Sequence, residues 1–83
     1  SINNFPNPFN SSTVIQYTIP EESNISLDLF SSIGEKIKNL SDGFKRAGEY
    51  ELYLNANSLP SGVYFIVLRT SEHFFSHKIL LLK

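Results

Sequence analysis

The chain has 83 residues and 9.4 kDa, no cysteine, and a formal net charge of −1 with only 18% charged residues. That length excludes a two-domain enzyme, and the missing cysteine excludes disulfides and thiolate metal sites. The sparse, near-neutral charge excludes a nucleic-acid footprint and a polybasic membrane anchor.

Size scaling gives about 5,000 Å² of accessible surface for such a domain, with roughly 63% of the unfolded surface buried. The hydrophobic 41% must therefore do nearly all the stabilising. The longest apolar run, residues 79–82, is far too short to span a bilayer. With no methionine, Ser1 is expected to be an internal position, and residues 1–83 a single-domain fragment of a larger secreted protein.

In chain order, Phe5-Pro6-Asn7-Pro8-Phe9-Asn10 comes first, as a rigid lead-in. Two alternate prolines fix their own φ and hold Phe5 and Asn7 extended, leaving Phe5 and Phe9 as plugs for a core edge. Residues 13–19 alternate, with Ile15, Tyr17 and Ile19 on one face and Pro20 as a stop. Residues 24–30 set Ile25, Leu27 and Leu29 against Ser26 and Asp28. Ser31-Ser32-Ile33-Gly34 predicts a turn with Gly34 at positive φ. Residues 35–40 then read as a polar, lysine-flanked edge strand.

Asp42-Gly43 predicts a second turn, followed by a basic loop and the punctuating Gly48. Tyr50, Leu52 and Leu54 alternate with Glu49, Glu51 and Tyr53. Leu59-Pro60-Ser61-Gly62 is a third break, with Gly62 also at positive φ. Residues 63–69 are apolar on both faces and read as a central strand, in which the Tyr64 hydroxyl is expected to reach a loop carbonyl. The last strand, from about residue 75 to 82, passes from Ser76-His77-Lys78 to an aliphatic end predicted to be buried on both faces.

No window shows a helical period. The fold class expected is all-β, an immunoglobulin-like antiparallel β-sandwich of about seven short strands. Ile15, Tyr17, Leu27, Leu29, Leu52, Tyr64 and Ile66 are expected inside.

No catalytic, cofactor-binding or metal-binding residue is assigned. On a strand, His73 and His77 lie about 13 Å apart, too far to share an ion. Gly-x-Ser-x-Gly is absent, and Ser61-Gly62 is better read as a turn. Glu21 and Glu22 are adjacent and point opposite ways on an extended chain, unlike a glycosidase pair. Lys36, Lys38, Lys45 and Arg46 read as edge protection against sheet-to-sheet pairing. The reading is of a non-enzyme without a cofactor.

Taken together, the motifs resemble a family. The run Asn7-Pro8-Phe9-Asn10-x-Ser12-Thr13-x-Ile15-x-Tyr17-x-Ile19-Pro20 is similar to the start of the C-terminal sorting domain, type A, of type IX secretion cargo. Ile25-x-Leu27-x-Leu29-Phe30 with Ile33-Gly34-x-x-Ile37, Ala47-Gly48-x-Tyr50 and Leu59-x-Ser61-Gly62-Val63-Tyr64-Phe65 resemble its successive inner motifs. Lys78-Ile79-Leu80-Leu81-Leu82-Lys83 resembles its terminal strand. Ser11 and Ser31 stand where the family favours proline and aspartate, and Tyr50 and Leu54 where histidine and tryptophan are commoner.

The resemblance implies a secretion signal rather than a machine. Its N-terminal cargo domain would fold in the periplasm, the sandwich would be recognised by the outer-membrane secretion apparatus, and a sortase-like peptidase would remove it, leaving the cargo at the surface or outside the cell. Residues 78–83 are the implied recognition segment. Pro6, Asn7, Pro8, Phe9, Asn10, Gly34, Gly48, Ser61, Gly62 and Tyr64 are the implied structural motif. Weak self-association through edge strands is a further expectation. The competing class is an accessory immunoglobulin-like or carbohydrate-binding module, favoured if Phe44, Tyr53, Phe65, Phe74 and Phe75 include a flat exposed row of three rings.

Overall fold

Period-2 alternation becomes seven strands and no helix in the computed structural model, which describes residues 1–83. The strands are β1 (Ile2–Phe5), β2 (Ser12–Ile19), β3 (Ser23–Ser31), β4 (Lys36–Lys45), β5 (Gly48–Asn55), β6 (Gly62–Arg69) and β7 (Phe74–Leu81). They form two antiparallel sheets, ordered β1-β2-β5 and β4-β3-β6-β7. The sheets pack face to face as a sandwich whose accessible surface, 4887 Å², is close to the scaling value.

One parity of each strand supplies the core. Ile15, Tyr17 and Ile19 of β2 meet Ile25, Leu27 and Leu29 of β3, Tyr64, Ile66 and Leu68 of β6, and Ile79 and Leu81 of β7. Cross-strand register aligns these positions: Leu27 lies opposite Leu68, Leu29 opposite Ile66, and Tyr64 opposite Ile79. As expected, β6 is a central strand and β4 a polar edge.

Several expectations need correction. Asp42-Gly43 does not turn the chain, because β4 runs through it to Lys45. Gly43 lies opposite Ile25 with φ +105°, a conformation open to glycine, and the β3–β4 ladder shifts register twice. The dipeptide therefore lies within a long irregular strand, and the chain reverses afterwards at Arg46 and Ala47. The Ser31–Gly34 turn forms where expected, with φ +86° at Gly34 and its N–H donating to the Ser31 carbonyl at 3.0 Å. A strand, β1, also precedes the proline motif, so residues 5–10 link two paired strands.

Burial separates residues that alternation treated alike. Phe9 is buried but Phe5 is 51% exposed. Leu52 only half-enters the core, on the edge strand β5. At the end of the chain Ile79 and Leu81 are buried, Leu80 is half-buried and Leu82 is 51% exposed. The aliphatic terminus is thus buried on one face rather than two, because the sandwich offers it only one neighbouring layer.

Two tyrosines anchor loops in the same manner. Tyr64 donates to the Pro60 carbonyl at 2.5 Å and Tyr50 to the Arg46 carbonyl at 2.6 Å, each four residues back. Tyr64→Phe is expected to cost about 1 kcal/mol, lowering Tm by about 4–8 °C in thermal melts. An unchanged Tm would show that the hydroxyl contributes nothing.

Candidate functional site

The terminal strand β7 is the outer strand of its sheet, so every second residue directs its N–H and C=O away from β6. Over the last residues four of these outward groups are taken. The Asn7 side chain donates to the Lys78 carbonyl at 3.4 Å and accepts from the Leu80 N–H at 3.1 Å. The Phe9 N–H donates to the Leu80 carbonyl at 3.0 Å, and the Leu82 N–H donates to the Phe9 carbonyl at 2.8 Å. Phe9 thereby forms a short parallel bridge with Leu81 while its ring enters the core.

This arrangement follows from the local sequence. Pro6 and Pro8 have no N–H to offer, so the segment cannot pair as a regular strand. Asn7, between them, presents an amide that imitates a main-chain unit. Both the Phe5–Pro6 and Asn7–Pro8 bonds are cis. The third break also contributes: the Lys83 N–H donates to Ser61 Oγ at 3.0 Å, and Lys83 Nζ to the Asn57 carbonyl at 2.5 Å. Gly62 lies opposite Leu81.

Of the motif residues singled out in the sequence, Asn7, Phe9, Ser61, Gly62 and residues 78–83 thus converge on one end of the sandwich. Pro6 and Pro8 flank the contact, with Asn10 beyond Phe9, and these three line a shallow depression beside Leu82. Gly34 and Gly48 take no part in these contacts, serving the β3–β4 turn and the start of β5. Lys78 is exposed, opposite Phe65, and makes no ion pair.

Two polar residues escaped the sequence reading. Asn4 is only 3% exposed; its amide nitrogen donates to the Pro6 carbonyl and to Thr13 Oγ1, both at 3.2 Å, and its Oδ1 lies 2.7 Å from His77 Nε2. It ties β1, β2 and β7 together across the edge of the sandwich. The available signal was its parity with Ile2, which becomes visible only once residues 2–5 are recognised as a strand. Asp28 alternates with core leucines, yet it too is 3% exposed. Its Oδ1 accepts from Asn39 Nδ2 at 2.8 Å and lies 3.7 Å from Lys36 Nζ.

The histidines follow separate paths: His73 meets the edge of Phe75 at 5.7 Å between centroids, whereas His77 binds Asn4. Phe44, Tyr53 and Phe74 are exposed, but they belong to β4, β5 and β7, in two different sheets. They do not form the flat row expected of a carbohydrate platform.

The model of the secretion system C-terminal sorting domain family matches residues 3–82, spanning both halves of the Asn7–Phe9 contact. The chain belongs to this family. No curated protein matches the chain. The sorting domain is a signal for type IX secretion, through which cargo reaches the cell surface or the extracellular space, and that role entails interaction with the secretion machinery. Domains of this kind are generally non-catalytic.

Proposed function

We propose that the secretion apparatus reads this sorting domain in its folded state, at the end where residues 78–83 are held by Asn7, Phe9 and Ser61. The observation that carries the reading is the occupied edge. With the Lys78 carbonyl, both main-chain groups of Leu80 and the Leu82 N–H already bonded, β7 cannot accept a regular partner strand there unless Asn7 and Phe9 are displaced. Recognition then falls to shape and to the side chains left exposed, Lys78, Leu82 and Lys83.

On this reading the cargo domain, N-terminal to the sorting domain, crosses the inner membrane and folds in the periplasm. The sandwich engages the outer-membrane machinery, and a sortase-like peptidase separates it from the cargo. Edge-strand self-association would use the outer edge of β4, where exposed lysines keep it weak.

Fusion of the 83 residues to a periplasmic reporter, in a host with an active type IX system, is expected to move the reporter to the surface. A reporter retained in the periplasm would refute the sorting reading. Lys78→Ala is expected to reduce export while leaving Tm within a few degrees, since the ammonium is exposed and unpaired. Export at the wild-type rate would reduce Lys78 to a rim lysine.

A further inference from the structure

The outer face of the four-stranded sheet differs from an ordinary solvated face. Alternation sends Phe65, Val67 and Arg69 of β6 outward, next to Phe30 of β3 and to Phe74, Ser76 and Lys78 of β7. Phe30, Phe65, Val67 and Phe74 line one shallow depression of about 310 Å³, with Arg69 on its border. Val67 is only 7% exposed and the Phe30 and Phe65 rings are half-buried, whereas Phe74 is 60% exposed. An apolar strip therefore runs along β6 on the side away from the core.

Charge frames this strip. Arg69 stands at one end, stacked on Phe74 at 5.1 Å, and Lys78 at the other, opposite Phe65. Neither makes an ion pair. Two carboxylates share this face: Asp28 is buried and held by Lys36 and Asn39, and Asp42 lies two strands across from Arg69, so neither pairs with Arg69 or Lys78. Four residues along a strand and one strand across put Arg69 and Lys78 about 14 Å apart at the Cα atoms.

We propose that this face is a second docking surface of the sorting domain, adjoining the terminal segment at Lys78, and that its occupant is a protein segment with two carboxylates about 14 Å apart flanking apolar side chains. The inference rests on the sorting reading and names the chemistry of the partner. An extended segment with acids at positions i and i+4 meets that spacing along β6. The acidic outer face of β5 in a second copy of this chain does not: Glu49 and Glu51 are only two residues apart, about 7 Å, with Glu51 already accepting from Gln16 at 2.8 Å.

The test has two arms. In the first, the 83-residue chain, isotope-labelled for NMR, is titrated with the capped peptide Asp-Leu-Val-Leu-Asp and with its isomer Asp-Asp-Leu-Val-Leu. The spaced peptide is expected to shift the amides of Phe65, Val67, Arg69 and Lys78 and to bind about tenfold more tightly than the isomer. Arg69→Glu with Lys78→Glu is expected to abolish the shifts. Equal binding of the two peptides, or shifts centred on Glu49 and Glu51, overturns the proposal. So do matching shifts produced by phosphatidylglycerol vesicles in place of peptide, or by raising the domain concentration alone.

In the second arm, Arg69→Glu alone is expected to lower export of a fused reporter at least about tenfold with an unchanged cooperative melt. Glu49→Lys is expected to export normally. Arg69 lies outside the terminal segment, so normal export of Arg69→Glu overturns this surface while leaving the sorting reading intact. If the wild-type fusion is itself retained, the sorting reading fails and the peptide titration alone decides the surface.

Discussion

Deleting residues 80–83 is expected to unfold the domain. Leu81 is fully buried, and large-to-small changes at such sites cost about 2–5 kcal/mol. Leu80 contributes less and Leu82, half-exposed, least. Hydrogen bonds make up the difference. The deletion removes the partners of the Phe9 N–H and C=O, of Asn7 Oδ1 and of Ser61 Oγ. A buried donor left unpaired, here on Phe9, costs about 1–3 kcal/mol. The sum is comparable to the roughly 4–12 kcal/mol that stabilises a chain of this length. Circular dichroism is expected to show no cooperative thermal transition, and a fused reporter is expected to stay unexported. A cooperative melt near the wild-type Tm would show that the terminal strand closes nothing.

Phe9→Ala is expected to destabilise the domain by about 3–5 kcal/mol, the range for a buried aromatic truncated to alanine. For a domain of this size the Tm falls by more than about 12 °C. The ring is 3% exposed and belongs to the core cluster, and it also fixes the position of the main-chain groups that hold Leu80 and Leu82. Phe5→Ala, four residues earlier in the same motif, is expected to change stability by no more than about 0.5 kcal/mol, because that ring is 51% exposed. Phe9→Leu should recover most of the loss, since an aliphatic side chain refills much of the volume. Equal effects at Phe5 and Phe9 in denaturant titrations would contradict the packing described.

Legibility was uneven along the chain. β2, β3 and β5 could be read because one face of each is buried, and a half-buried strand must alternate with period 2; β6 could be read because a central strand is apolar on both faces. β4 was cut short at residue 40 because it is an edge strand with mostly exposed side chains, so burial imposes no pattern on Asp42-Gly43. β1 was missed for a related reason. It has four residues, and its one fully buried side chain is a polar one, Asn4.

The candidate site divides along the same line. Sequence alone determined the all-β class, the sandwich, six of the seven proposed core positions and the two terminal motifs, because each rests on local patterning. It did not determine that those motifs touch. Asn7 and Leu80 are 73 residues apart, and only the closing of β1 and β7 against each other brings the amide to the last strand. Tertiary structure likewise decided which phenylalanine is a plug and which terminal leucines are buried. It also decided that Asp28 is buried while Arg69 and Lys78 remain unpaired. These outcomes depend on which neighbour lies across the ladder or across the sandwich, and a single chain's alternation does not encode the identity of that neighbour.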